Sequence, residues 1–220
     1  EAVNFPFCTI EPNTGIVPVP DERLQVLSDL EHSGRIVPST LKFIDIAGLV
    51  KGASQGQGLG NQFLGHIRSV DAIAHVVRLF DDPDVVHVDA EPDPVNDLEV
   101  IMTELMLADL DVLEKRRDRA HKLARSNDAD AKLEFELVKE MAAQLGEGKI
   151  PTYDKDNPKV AALVKSFELL TLMPAFVCAN TDEETFKNFD ANPKAKHLAE
   201  YAAQHGLEVV PVCAKLEDED

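Results

Sequence analysis

A carboxylate and a glycine stand three residues apart at the end of an apolar run. The sequence LKFIDIAG at 41–48 places Asp45 at the close of the run and Gly48 after it. In open α/β sheets, ligands bind beyond the carboxyl ends of the strands. An aspartate there can hold Mg²⁺, and a glycine N–H can approach a phosphate oxygen because no Cβ blocks it. By itself the pair also fits an ordinary turn.

A glycine-rich loop and an upstream threonine extend this pattern. Six of the eleven glycines fall between Gly48 and Gly65. So many glycines raise the entropic cost of ordering, which suits a loop that becomes ordered when a ligand binds. Upstream, Thr9 lies in the run NFPFCTIEPN at 4–13. A hydroxyl there can complete a Mg²⁺ shell and contact a γ-phosphate, although a lone loop threonine is more often structural.

Two short polar runs follow the last two apolar runs of the chain. In the first, NTDE at 180–183, an amide and a carboxylate three residues apart can bind the edge of a purine. In the second, CAK at 213–215, a backbone N–H can meet the same base. The candidate base-binding residues are Asn180, Thr181, Glu183, Cys213, Ala214 and Lys215.

Five apolar runs supply the strands that would position these residues. Nearly continuous apolar runs are typical of strands buried on both faces of a parallel sheet. Helix-like segments lie between most of them, and this alternation favours an α/β fold with right-handed crossovers. The five runs are residues 15–19, 41–46, 72–77, 175–178 and 209–213.

The segment 95–146 breaks the alternation. Apolar residues recur there in steps of three and four on both sides of a polar break at 126–128. Two helices joined at that break would form an antiparallel hairpin, each burying the apolar stripe of the other. The length of the segment favours a projecting hairpin, and packing of both helices on the main core is the alternative. The predicted domains are 1–94 and 151–220 for two parts of one α/β domain, with a helical coiled-coil insertion at 95–150.

The charge balance narrows the class of partner. Lys and Arg number 22 against 40 Asp and Glu, so the net charge is 22 − 40 = −18. A field of that sign repels nucleic acid and anionic membranes, so neither DNA nor a membrane is an expected partner. The stretch 114–125, with six Lys and Arg against two acids, is either a solvated helix face or an RNA contact. Three widely spaced cysteines form no disulfide framework, which indicates a reducing cytoplasm.

The order of these motifs resembles the G domain of the Obg branch of translation-factor-related P-loop NTPases, and within it the YchF (Obg-like ATPase) family. The run 4–13 is similar to that family's switch I. DIAGLVKGA at 45–53 resembles its switch II and continues into GLGNQFL at 58–64. Residues 103–111 look like the start of its coiled-coil insertion. The resemblance implies a mainly parallel sheet with an inserted antiparallel helical hairpin.

The resemblance also implies a chemistry and a partner. The intact protein would bind and hydrolyse ATP, with Thr9 and Asp45 on Mg²⁺ and Gly48 at the γ-phosphate. Leu49 stands where related enzymes carry a water-orienting glutamine, so the family suggests His87 as the catalytic side chain. The alternative for His87 is a surface imidazole. The ribosome or ribosomal RNA would contact the hairpin, in the cytoplasm.

Base recognition decides between nucleotides. GTP-binding relatives carry Asn-Lys-x-Asp, whose Asp accepts hydrogen bonds from guanine N1–H and the exocyclic amine. This chain has Glu183 at that position, one methylene longer, and the family accordingly prefers ATP. Two alternatives stay open: a GTPase of the Obg branch, and a non-catalytic scaffold that binds ribosome or protein partners through the hairpin.

Two family features do not occur in the 220 residues. The phosphate-binding loop G-x-x-x-x-G-K-[ST] is not found, because the one Gly-Lys pair, Gly148-Lys149, is followed by Ile150. The family's C-terminal TGS domain is also not found. The chain opens on Glu1 rather than Met, so we expect a piece of a longer protein. Without a phosphate cradle, we expect these 220 residues alone to be inactive.

Overall fold

The computed structural model describes residues 13–46, 64–80, 93–124 and 128–217. They fall into two compact units, residues 1–48 and 49–220, and each unit is described by itself. Several predicted site residues lie outside the described residues, namely Thr9, Gly48, Leu49 and His87.

The first unit is a two-stranded ribbon with one helix. Its elements are β1 (Asn13–Pro18), α1 (Glu22–Glu31) and β2 (Thr40–Asp45). The two strands pair antiparallel, with Asn13 opposite Asp45, and every residue of β1 is exposed. The prediction of two strands is confirmed, but their assignment as parallel strands buried on both faces is wrong. Apolar β-branched residues favour extended backbone in either arrangement, so a short run does not fix burial or direction.

The second unit contains a parallel sheet of three strands in the order β3-β4-β5. The strands are β3 (Ile73–Leu79), β4 (Ala175–Thr181) and β5 (Glu208–Val212). The register sets Leu79 beside Thr181 and Asn180 beside Val212, so the three carboxyl ends meet at one edge. The predicted α/β fold with a parallel sheet is confirmed, and the polar runs that follow β4 and β5 lie at the edge where ligands bind in such sheets.

A long helical hairpin separates β3 from β4 in the sequence. It consists of α2 (Pro94–Ala124) and α3 (Ala129–Gly146). Asp128 caps α3, because its side chain accepts hydrogen bonds from the N–H groups of Asp130 and Ala131. The predicted helical hairpin is confirmed, and its second helix begins directly after Asp128; residues 126 and 127 of the predicted break lie outside the described residues.

The Gly148-Lys149 pair ends α3. Gly148 has a φ of +72°, in the left-handed region that favours glycine. The Gly148 N–H donates to the Leu145 carbonyl at 2.9 Å, and the Lys149 N–H donates to the Gln144 carbonyl at 2.9 Å. These two bonds make a Schellman motif. The pair is thus a helix terminator, in agreement with its failure to match a phosphate-binding loop.

The base of the hairpin belongs to the core of the second unit. Leu98 and Met102 of α2 share one buried cluster with Val77 of β3, Val177 of β4 and Val138 of α3. Since α2 has 31 residues and α3 has 18, the first part of α2 extends past its partner helix and packs on the sheet. The packing of both helices on the main core, which the sequence left as an alternative, therefore applies at least to the base of the hairpin.

Shorter helices complete the second unit. No helix among the described residues combines the length and apolar character that crossing a bilayer requires. The remaining helices are α4 (Pro158–Lys165), α5 (Glu183–Lys187), α6 (Pro193–Gln204) and α7 (Ala214–Glu217), with 3-10 turns at Leu170–Leu172 and Phe189–Ala191.

Candidate nucleotide-binding site

The ends of β4 and β5 are joined by a side chain. Thr181, the last residue of β4, is buried, and its Oγ1 donates to the Val212 carbonyl at 3.1 Å. This bond fixes the 180–183 run against the 213–215 run. The structure therefore assigns Thr181 a supporting contact between the two loops, while Asn180 beside it is half-buried at the same edge.

An ion pair crosses the same edge. The Lys215 Nζ lies 2.9 Å from Glu183 Oε1, and the Lys187 Nζ lies 3.8 Å from Glu183 Oε2. The Lys215 ammonium, with a smaller effect of Lys187, holds the pKa of Glu183 below its usual range. Glu183 is thus an ionised acceptor, which can receive hydrogen bonds from a ligand but cannot donate any.

Cys213 contributes through its backbone. Its side chain is only 1% exposed, whereas Ala214 and Lys215 are exposed. The Cys213 carbonyl accepts hydrogen bonds from the Leu216 and Glu217 N–H groups, at 3.0 and 3.2 Å, and so begins α7. Of this run, the exposed Ala214 and Lys215 can meet a ligand, and the thiol is packed away from it.

The sequence reasoning missed the role of Asp182. Its carboxylate accepts the Thr185 N–H at 2.7 Å and caps α5. The signal that could have found it is an Asp directly before a short polar helix. The cap orients the first turn of α5, which carries Glu183.

A cavity at the carboxyl ends of β3 and β4 was also not predicted. It measures about 370 Å³ and lies between these strands and the start of α6. The Arg78 guanidinium lies 4.5 Å from the Phe80 ring centroid, and its Nε donates to the Phe80 carbonyl at 2.9 Å. The residues that line the cavity come from distant parts of the sequence, so no local sequence motif predicts the cavity. Its principal side chains are Arg78, Phe80, Asp182, Thr185, Asn192 and Lys194.

Asp45, which the sequence predicts as a magnesium ligand, lies in the first unit. It is the last residue of β2 and is exposed. Carboxylate oxygens are the ligands that Mg²⁺ prefers, and the ion usually keeps several waters, so one or two protein groups suffice. Among the described residues, no group of three or more His, Cys, Asp or Glu is placed to hold a metal ion. A carboxylate at this exposed strand end is compatible with a Mg²⁺ ion that keeps most of its water ligands.

A parallel sheet with polar loops at its carboxyl edge and an inserted helical hairpin defines an α/β class of domain that binds ligands at that edge. The family model described as a 50S ribosome-binding GTPase matches residues 1–116. Since this match spans more than half of the chain, the chain belongs to that family, in its YchF branch. The predicted family membership is confirmed.

Curated relatives match the whole chain, and a solved structure matches nearly all of it. The ribosome-binding ATPase YchF of Haemophilus ducreyi is 48% identical over 220 residues, which is 100% of this chain and 60% of the relative. The protein of the same name from Bacillus subtilis is 46% identical over 219 residues, with the same coverage. The structure of the Schizosaccharomyces pombe YchF GTPase matches with a TM-score of 0.76 and 34% identity, over 98% of this chain and 59% of that one. The chain thus spans about three-fifths of the length of the relatives it matches.

Proposed function

We propose that this chain is the nucleotide-binding part of a YchF-type ATPase that acts as a switch on the ribosome. The observation that supports this most directly is the meeting of two loops at one sheet edge, where Glu183 pairs with Lys215 at 2.9 Å. In a chain of this family, these loops are the place for the nucleotide base. The relatives in Haemophilus ducreyi and Bacillus subtilis are named ribosome-binding ATPases.

The base would be adenine. Asn180 offers an amide that can donate and accept, and Glu183 offers an acceptor on a side chain longer than aspartate. Guanine presents an N1–H and exocyclic amine pair that fits an aspartate at this position. Adenine lacks that pair, so replacing the aspartate by the longer Glu183 costs adenine nothing and gives up the partner that guanine requires. The second candidate is GTP, which is favoured by the name of the Schizosaccharomyces pombe relative, a YchF GTPase.

The phosphates and Mg²⁺ would be held by the other motifs. Thr9 and Asp45 are the proposed metal ligands, and the Gly48 N–H would contact the γ-phosphate. When bound, Mg²⁺ would neutralise charge on the phosphate oxygens. Because Leu49 cannot orient water, His87 is proposed to position the attacking water.

The hairpin is the proposed contact for the ribosome or ribosomal RNA. It forms the proposed insertion at 95–150, which separates the two parts of the α/β domain, 1–94 and 151–220. Lys115, Arg119 and Lys122 recur at helical spacing and are exposed, so they form one face, which we name the basic stripe. Lys115 is also paired with Asp111. A positively charged stripe in an otherwise acidic chain can bind a polyanion such as ribosomal RNA. A ribosome-bound protein would act in the cytoplasm.

The deciding experiment compares nucleotides in the natural full-length protein. Calorimetric titration with Mg·ATP and Mg·GTP, with phosphate release measured in parallel, should show tighter binding and faster turnover of ATP. A clear preference for GTP would overturn the base assignment in favour of the GTPase. Binding of neither nucleotide, together with binding of ribosomes, would favour the non-catalytic scaffold.

A further inference from the structure

A short segment between α4 and β4 is hydrogen-bonded to the middle of α2. Asp109 of α2 is fully buried, and its carboxylate accepts three hydrogen bonds from that segment. The Leu170 N–H donates at 2.8 Å, the Thr171 N–H at 2.8 Å and the Thr171 hydroxyl at 2.7 Å. We name residues 166–171 the strap.

A second contact between α2 and the strap lies two helical turns further along α2. The Arg116 guanidinium donates to the Ser166 carbonyl and lies 4.8 Å from the Phe167 ring centroid. It also pairs with Glu134 of α3, at 3.2 Å. Residues seven apart lie on the same face of a helix, so Asp109 and Arg116 hold the strap along one side of α2.

The backbone of the strap is itself constrained. Glu168 has a φ of 53°, in the left-handed region that favours glycine. A residue with a Cβ is strained in that region, because the Cβ lies too close to the following carbonyl oxygen. Phe167, Leu169 and Leu170 on either side of it are each at most 4% exposed. The strap is therefore a fixed element, held in an unfavourable backbone conformation by its contacts with α2 and the core.

The strap contacts α2 between the arm that carries the basic stripe and the strand that leads to the candidate base site. Asp109 is the middle residue of α2, with fifteen helical residues beyond it up to Ala124. At 1.5 Å per residue, that arm is about 22 Å long, and it carries the basic stripe. In the other direction along the chain, the strap continues through Leu172 into β4, which begins at Ala175. β4 ends at the edge where the base is proposed to bind.

The same contacts offset the cost of burying this carboxylate. Burial raises the pKa of Asp109, and the hydrogen bonds from Thr171 and Leu170 oppose that rise, with a smaller effect of the positive charge of Arg68. Asp109 therefore lies where the hairpin meets the segment that leads into β4.

We infer that the strap, through Asp109, couples the direction of the helical hairpin to the placement of β4, so that a polyanionic partner on the basic stripe changes the affinity for nucleotide. This inference rests on the proposed function. Asp109 acts as a positioning residue that touches neither ligand. By thermodynamic linkage, nucleotide changes the affinity for the partner by the same factor.

The test measures the coupling in the natural full-length protein, with purified 50S ribosomal subunits as the probe. The Kd for Mg·ATP is determined with and without subunits in the parent, in Asp109→Asn and in Thr171→Val. Asparagine presents an NH₂ donor where the carboxylate accepted, and valine removes the hydroxyl donor while keeping the shape. We expect the two Kd values to differ by about 5-fold or more in the parent and by less than about 2-fold in both variants. Without subunits, the Kd should stay within about 2-fold of the parent.

Two controls separate coupling from stability. Glu140→Gln changes an exposed carboxylate on α3, away from the basic stripe, and should keep the parental ratio. Thr171→Ser retains the hydroxyl donor and should restore most of the ratio lost in Thr171→Val. If Asp109→Asn does not fold, the comparison of Thr171→Val with Thr171→Ser tests the coupling instead.

The outcomes are distinct. A parental ratio in folded Thr171→Val and Asp109→Asn overturns the inference, and so does a parent in which subunits leave the ATP affinity unchanged. A parent that binds neither ATP nor subunits overturns the proposed function itself. A lost ratio with intact binding of each ligand alone supports the strap as the coupling element.

Discussion

The Nζ of Lys215 lies 2.9 Å from Oε1 of Glu183, across 32 residues of sequence. The pair joins the loop after β5 to the loop after β4 at the edge of a parallel sheet. It keeps Glu183 ionised, as the lowered pKa of that carboxyl indicates. A base that enters this edge therefore meets a carboxylate with an existing partner, and it must share that carboxylate with Lys215 or displace it.

Shortening this carboxylate should change the preferred base. In the full-length protein, we expect Glu183→Asp to shift the ratio of GTP to ATP affinity toward GTP by about 10-fold, since aspartate matches the two donors of guanine. The ratio is measured by titration with both nucleotides. Glu184→Asp, at an exposed neighbour, is the matched control and should leave the ratio unchanged. An unaltered ratio in Glu183→Asp would remove this residue from base recognition.

Removing charge from the basic stripe should weaken binding to ribosomes. We expect Arg119→Ala combined with Lys122→Ala to lower the affinity for 50S subunits by about 10-fold at physiological salt. The slope of log affinity against log salt should fall by about 0.7–0.9 per lost phosphate contact. The comparison variant, Arg35→Ala with Lys196→Ala, removes the same charge at exposed positions outside the hairpin. Equal losses in the two double variants would mean a non-specific effect of net charge.

The parts of the fold that the sequence predicts are those with a regular pattern. The apolar runs and the three-and-four spacing predict the sheet of the second unit and both helices of the hairpin, because burial imposes those periods. The meeting of the 180–183 and 213–215 runs is predictable for a similar reason, since the carboxyl ends of parallel strands lie at one edge. The antiparallel pairing of β1 with β2 is not predictable in this way, because the same residue types suit strands of either direction.

The contacts that the sequence does not predict link distant residues through buried polar groups. Asp109 looks in the sequence like one of many acids on a polar helix, yet it binds Leu170 and Thr171 across 61 and 62 residues. The ion pair of Glu183 with Lys215 likewise depends on the strand register, which no local motif encodes. Such contacts become visible only when the topology brings the segments together.

The buried histidine of β3 should make the second unit sensitive to acid. Burial lowers the pKa of His75 to about 4, against 6.5 for an exposed imidazole. Between pH 6.5 and 4 the unfolded chain binds a proton that the folded chain does not, so stability falls as the pH falls. The full loss is about 3 kcal/mol. The raised pKa of Asp109 acts in the opposite direction, because protonation there relieves a buried charge.

Comparison with His75→Gln isolates this effect, since Asp109 is present in both proteins. Urea unfolding at pH 7.5 and 4.5 is followed by the fluorescence of Tyr153 and Tyr201, both in the second unit. We expect the parent to lose about 2–3 kcal/mol more than His75→Gln between the two pH values. His197→Gln, at an exposed histidine, should behave like the parent. Parallel losses in the parent and His75→Gln would show that His75 does not control the acid sensitivity.

The proposed catalytic histidine should affect turnover and not binding. In the full-length protein, we expect His87→Ala to lower ATP hydrolysis by about 100-fold, the lower end for a group that positions water or transfers a proton. The Kd for Mg·ATP should stay within about 2-fold, because His87 is proposed to act on the attacking water. Phosphate release and calorimetry measure the two quantities, with His197→Ala as the control. Equal turnover in His87→Ala and the parent would reduce His87 to a surface imidazole.

The 220 residues by themselves should neither hydrolyse ATP nor bind it tightly. In P-loop enzymes the phosphates are held mainly by a cradle of backbone N–H groups and its lysine, and the sequence motif for that cradle does not occur here. Positioning and charge stabilisation are nearly the whole of phosphoryl-transfer catalysis, so Asp45, Asn180 and Glu183 without the cradle should give a Kd in the millimolar range or weaker. That range corresponds to about −4 kcal/mol. Calorimetric titration of the purified chain with Mg·ATP, beside the full-length protein, measures the difference directly. Micromolar binding with turnover by the 220 residues would show that another element holds the phosphates, and the proposed site would be wrong.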